Sequence, residues 1–147
     1  MFKLSVITPE KIVYDKEAIS VNAPGTLGYF EILQNHAPFI TSLQPGKLEI
    51  TDDKNNKLIY AISGGMLEMY KNECTVLGDA IEAPEEIDIN RAKEAKNRAE
   101  KRIAEHEKGI DLDRAKNALH RANNRIHIYQ KYQAHETHHQ SVVDLFE

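Results

Sequence analysis

From Phe2 to Leu77 the chain is a series of short apolar runs separated by turn residues. The runs are Phe2 to Ile7, Ile12 to Tyr14, Ala18 to Ala23, Tyr29 to Leu33, Phe39 to Leu43, Leu48 to Thr51, Leu58 to Ile62, Met66 to Tyr70 and Cys74 to Leu77. Thr8-Pro9, Pro24-Gly25, Pro45-Gly46, Asp52 to Asn56, Gly64-Gly65 and Lys71 to Glu73 punctuate them. A repeat of about ten residues with no competing helical period predicts a β-sandwich or flattened barrel. Within it, Gly28 to Ile50 reads as strand, presented loop (Gln34-Asn35-His36), strand, Pro-Gly turn and strand.

The pattern changes after Pro84. All five prolines and six of the seven glycines have by then been used, and Gly109 stands alone between two stretches rich in Ala, Lys, Arg and Glu. Ala92, Ala95, Ala99 and Ile103 recur at 3-and-4 spacing, as do Ala115, Leu119, Ala122, Ile126 and Tyr129, so each stretch predicts one helix with a narrow apolar stripe. The helices are expected over Asp88 to about Glu107 and about Asp111 to Gln133, folded into an antiparallel hairpin with Asp88 capping the first. The expected class is therefore α+β: a sandwich over 1–84, a helical hairpin over 85–133 and a polar extension over 134–147. Alanine-lined seams bury little apolar area, so the hairpin is expected to be held loosely and able to move as a unit.

Charge narrows the partners. Nineteen basic against 23 acidic side chains give a net charge of -4, which supplies no field to attract nucleic acid or anionic lipid. Residues 1–84 hold 7 basic and 11 acidic side chains, and 85–147 hold 12 of each. A single cysteine, Cys74 within the apolar run Cys74 to Leu77, suits a reducing compartment and reads as a packed strand residue. No segment has the pattern of a secretory leader or the length of a membrane span, so a soluble, unexported protein is expected, with any membrane association made through a partner.

Arg91, Arg98, Arg114, Arg121 and Arg125 each stand one position before a stripe residue, which places a basic row on the same flank of both helices. Such a row can bind phosphate, with Asp88 and Glu82 reaching polar groups of a nucleotide. It can equally be a solvated face paired with Glu94, Glu100 and Glu105. His135-Glu136-Thr137-His138-His139 spells H-E-x-x-H, the spacing of a zinc hydrolase, with Asp144 or Glu147 as the only third ligands in reach. It sits in a His-rich tail with no core around it, so chance is the stronger reading. Gly25 to Gly28 lacks the Lys of a phosphate loop and reads as a turn.

Three motifs in order, Gly28 to Ile50, Ser63-Gly64-Gly65-Met66-Leu67-Glu68 and Ile87-Asp88-Ile89-Asn90-Arg91-Ala92, resemble the epsilon subunits of F-type ATP synthases. The resemblance implies a ten-stranded sandwich and a helical hairpin in a non-catalytic subunit. Its partners would be the gamma subunit, the c-ring and the catalytic alpha/beta head, at the cytoplasmic face of the cell membrane and peripheral to it. Tyr29, Glu31, Gln34, Asn35 and His36 would form the rotor-facing edge, with His36 nearest gamma. The usual wording there is Gly-Glu-Leu-Gly-Ile, so Tyr29 and Glu31 depart from it. The hairpin would obstruct ATP hydrolysis when extended and permit turnover when folded. Matches at Glu82, Ile87, Asp88, Arg91, Ala92, Arg98, Arg121 and Arg125 imply that the folded form takes ATP as a regulatory ligand, with no cofactor required. The alternatives that these residues leave open are a free-standing nucleotide-sensing module and, using His135, Glu136 and His139, a zinc hydrolase.

Overall fold

The computed structural model describes residues 1–105 and 111–133. Its contacts divide the chain into two units, Met1–Ala83 and a second that begins at Pro84.

The first unit holds nine strands: β1 (Phe2–Ile7), β2 (Ile12–Gly25), β3 (Gly28–Ile32), β4 (Phe39–Leu43), β5 (Gly46–Asp52), β6 (Lys57–Ile62), β7 (Gly65–Tyr70), β8 (Glu73–Gly78) and β9 (Ile81–Glu82). Strand β2 is the hub. Its first half pairs antiparallel with β1 (Phe2 opposite Ala18), its middle with β5 (Val21 opposite Ile50), and its end with β3 (Val21 opposite Ile32) and β4 (Gly25 opposite Leu43). A register shift falls between Ala18 and Ser20, where its pairing passes from β1 to β5. The ladder runs β1-β8-β7-β4-β2-β5-β6-β9, with β1 and β8 parallel.

Alternation does the folding work. In β1, Phe2, Leu4 and Val6 are fully buried while Lys3 is exposed, the period-2 pattern of a strand with one face in a core. Val21, Ile32, Leu48, Ile50, Ile62, Leu67, Met69, Cys74 and Val76 line the same interior, with Tyr14 at its margin. Gly65 begins β7 at φ 151°, and a Cβ there would lie 1.9 Å from the Leu77 carbonyl oxygen. The Ser63-Gly64-Gly65 motif thus marks a close backbone crossing that only glycine allows.

The strand reading needs two corrections. Ile12 to Tyr14 and Ala18 to Ala23 belong to one strand. Asp15, Lys16 and Glu17 stay in register with Ser5, Leu4 and Lys3, and a Lys3–Asp15 ion pair of 2.9 Å lies on the exposed side. The count is nine strands among the described residues, against the ten that the resemblance implied, and β9 is a two-residue strand outside the apolar runs.

In the second unit a 3₁₀ turn over Pro84–Glu86 precedes α1 (Ile89–Glu105), and α2 (Leu112–Ile128) continues into a π-helical turn over Tyr129–Gln133. The Asp88 carboxylate accepts from the Arg91 backbone N–H at 3.1 Å, the expected cap. Asp111 does the same for α2 through Arg114 N–H, also 3.1 Å. The helices pack on each other through Ala92, Ala99, Ala115 and Ala122, all nearly inaccessible. The pair forms the expected antiparallel hairpin. The stripe of α2 ends differently from its expected course. Ile128 is the fully buried residue there and Tyr129 is half-buried, and the Pro84–Glu86 turn packs against the π turn.

Candidate functional site

The loop after β3 is built by two aromatic contacts and one turn. Phe30 and Phe39 meet edge to face with centroids 5.1 Å apart, which fixes the stems of β3 and β4, and His36 lies edge on to Phe39 at 5.7 Å. His36 N–H donates to Leu33 C=O (3.2 Å), closing the turn Leu33 to His36, and its Nδ1 lies 2.8 Å from the Ala37 carbonyl. Gln34 and Asn35 are exposed and His36 is half-buried. The edge that the sequence marked is thus a presented surface, with His36 held by its neighbours.

Tyr29 and Glu31 face outward on β3; Tyr29 is 60% exposed. The Tyr29 hydroxyl nevertheless accepts from Lys47 N–H at 2.9 Å, and the space it occupies exists because Gly46 has no side chain: a Cβ there would lie 2.7 Å from the hydroxyl oxygen. The tyrosine therefore ties β3 to the start of β5 besides contributing surface.

Asn72 was not singled out by sequence. It occupies the two-residue turn between β7 and β8, where Lys71 and Asn72 both have positive φ (49° and 61°), as a type I′ turn demands. Its Oδ1 accepts from Asn35 N–H at 2.8 Å and its Nδ2 donates to Met1 C=O at 3.1 Å. Met1's amino group in turn reaches Gln34 Oε1. The only trace in the sequence is an Asn in a tight turn, which says nothing about a loop 37 positions away.

The second set of residues falls in both units. Glu82 is in β9, opposite Ala61. Ile87 is buried, and Asp88 and Arg91 are brought together by the helix cap, which engages one carboxylate oxygen. Ala92 lies in the buried seam. Arg91 and Arg98 are exposed at i, i+7 on α1, and Arg121 and Arg125 half-buried at i, i+4 on α2, spacings that keep each pair on one helix face. Glu100 and Glu105, considered as arginine partners, instead pair with Lys96 (3.7 Å) and Lys101 (3.8 Å) at i, i+4 on α1.

The chemistry available elsewhere is sparse. Burial pushes the Cys74 thiol up to about 12, which keeps it protonated and unreactive. Among the described residues no three His, Cys, Asp or Glu side chains converge to hold a metal ion. The H-E-x-x-H residues His135, Glu136 and His139, with Asp144 and Glu147, lie outside the described residues. No helix among the described residues is long and apolar enough to cross a membrane.

Matches to known proteins point to one assembly. Residues 1–84 match the family described as ATP synthase, Delta/Epsilon chain, beta-sandwich domain, and residues 85–130 its long alpha-helix domain. The ATP synthase epsilon chain of Protochlamydia amoebophila (strain UWE25) is 44% identical over 108 residues, 74% of either chain. That of Clostridium novyi (strain NT) is 45% identical over 103 residues, covering 70% of this chain and 79% of the relative. Among solved structures, a chain in the Euglena gracilis mitochondrial ATP synthase (OSCP/F1/c-ring, rotational state 1) superposes with a TM-score of 0.70 at 20% identity, over 84% of this chain and 78% of that one. A chain of the Tetrahymena thermophila mitochondrial ATP synthase central stalk and c-ring gives 0.56 at 17% identity, over 88% and 93%. At such identities these two speak for the fold, and the family rests on the sequence matches, which run through both units: the chain belongs to the ATP synthase delta/epsilon chain family, as a non-catalytic subunit.

Proposed function

We propose that this chain is the epsilon subunit of an F-type ATP synthase, docked by its sandwich on the gamma subunit and the c-ring and turning with the rotor beneath the alpha/beta head. It lies at the cytoplasmic face of the cell membrane and is held there by the complex alone. The observation that carries the reading is the match of both units, in order and along residues 1–130, to the two domains of one subunit family. The loop Leu33 to Pro38, with Tyr29 and Glu31 beside it, is the docking edge. Its rigid aromatic stems support that role, because a surface set before binding loses less entropy on association.

The hairpin regulates. Extended toward the head it obstructs ATP hydrolysis; folded, it releases the enzyme. ATP is the ligand that favours the folded form, held by Arg91, Arg98, Arg121 and Arg125 against its phosphates, with Ile87, Ala92 and Asp88 around the nucleoside. Two arginine pairs, each on one face of its own helix, offer the kind of charge that suits a polyanion. ATP biases the hairpin only as far as it prefers one form over the other.

Two experiments test the two halves. Tagged full-length chain added to native membranes should recover the alpha, beta, gamma and c subunits; recovery of the chain as a monomer would overturn the subunit reading. Titration of the full chain with ATP should move the amide NMR signals of Arg91 and Arg125 saturably, and signals that stay in place would dispose of the nucleotide site.

A further inference from the structure

The docking loop is set by a residue outside it. We infer that Asn72, in the β7–β8 turn, is the positioning residue that fixes the conformation in which Gln34, Asn35 and His36 are presented; the inference rests on the docking role proposed for that loop. In the turn Leu33 to His36, the peptide between Gln34 and Asn35 is the central one. Its orientation separates one turn type from another, and a flip of that peptide leaves the closing His36 N–H to Leu33 C=O bond possible in either state. The observed state has Asn35 at φ 60°, a left-handed conformation that a non-glycine residue holds at a cost. What selects it is the Asn35 N–H donating to Asn72 Oδ1 at 2.8 Å, since that N–H belongs to the central peptide itself.

Asparagine fits this post in three ways. It tolerates its own φ of 61° in the hairpin turn. Its amide carries both an acceptor for Asn35 N–H and a donor for Met1 C=O, which lies 3.1 Å from Nδ2. The reverse amide orientation would set a donor against a donor and an acceptor against an acceptor, so the partners fix it. Its backbone is anchored as well: Lys3 N–H donates to Asn72 C=O at 3.2 Å, which ties the turn to β1. The side chain is half-buried between β1 and the loop, so it acts through Asn35 and leaves the docking surface to the loop's own residues.

Asn72→Gly is the informative variant, because glycine keeps the positive-φ turn and deletes only the amide. Asn72→Asp keeps the acceptor for Asn35 N–H. Full-length chains are added back to synthase stripped of this subunit, and the rebinding constant is read beside the Asn35 amide shift and exchange rate in the free chain. Asn72→Gly should weaken rebinding about three- to tenfold, the worth of one hydrogen bond. It should also speed Asn35 exchange; Asn72→Asp, which keeps the acceptor for Asn35 N–H but loses the donor to Met1 C=O, should restore part of the affinity and slow Asn35 exchange again. Equal affinity of wild type and Asn72→Gly overturns the inference whatever the amide reports. Wild type that fails to rebind at all would overturn the docking role itself, and that is visible before any variant is compared.

Discussion

The two units bury opposite kinds of side chain. The sandwich closes around Phe2, Leu4, Leu48, Ile50, Leu67 and Met69, each at most 1% exposed, whereas the α1–α2 seam closes on Ala92, Ala99, Ala115 and Ala122. At about 25 cal/mol per Å² a buried leucine contributes roughly 2 to 3 kcal/mol, and an alanine a fraction of that. The sandwich also joins residues far apart in sequence, as where β1 meets β8, while each helix makes its hydrogen bonds locally and starts from its own aspartate cap. One unit is held by volume and the other by close approach. They should therefore fail in opposite directions: the sandwich when an interior side chain shrinks, the seam when one grows.

The largest effect is expected in the sandwich. Leu48→Ala in β5 should lower the unfolding free energy by about 2 to 5 kcal/mol, the range for a buried leucine whose cavity cannot collapse, read as a lower urea midpoint. Gly65→Ala should cost about 3 kcal/mol or more by a different route, since the new methyl meets the Leu77 carbonyl and cannot escape by a rotamer change. A near-neutral Gly65→Ala would mean that the β7–β8 crossing is looser than its geometry. In the seam, Ala122→Leu should destabilise by about 1 to 3 kcal/mol although it adds apolar area, because the helices must move apart to admit it. Loss of helical ellipticity at lower urea checks this, and a stabilised Ala122→Leu would break the comparison.

Much of this division was legible because each unit writes its period in its sequence. Phe39 to Leu43 is β4 residue for residue, and the seam alanines stand where 3-and-4 spacing placed them. What stayed hidden depends on neighbours remote in the chain. Asp15-Lys16-Glu17 looks like a break between strands, yet pairing with Lys3 to Ser5 holds it in β2. Ile81–Glu82 becomes strand only because β6 offers Ala61 and Ile62 as partners. The docking loop could be seen as a polar turn between apolar runs, but not its tether to Asn72, since no local period encodes a contact across 37 positions. The basic rows were visible as positions on helices; that Glu100 and Glu105 choose lysine partners was not, because several cations lie within one helical turn of each acid.

Smaller effects probe what starts and ends the elements. Asp111→Ala should cost about 1 kcal/mol, the usual worth of an N-cap, and should appear in the helical signal of the second unit. Unchanged ellipticity through the transition would mean that packing, not capping, sets where α2 begins.

The sandwich has its own counterpart to these caps in Asp52, at the turn from β5 to β6, and its signature is a pH dependence. The carboxylate Oδ1 accepts from Asn56 N–H at 2.8 Å and Lys54 N–H at 2.9 Å, and these bonds, the one from Asn56 foremost, hold its pKa below the ordinary carboxylate value. A carboxyl whose folded pKa is depressed contributes stability that is fully present above its unfolded pKa of about 3.9 and is lost as pH falls through the lower folded value. Asp52→Asn keeps the shape and an acceptor oxygen but removes the charge, so its deficit against wild type should be greatest at pH 5 and should shrink as pH drops toward 2.5. Urea midpoints of both chains across that window check it. Parallel curves would show that Asp52 organises the turn by shape alone, whereas converging curves would show that its charge contributes to holding the β5–β6 turn.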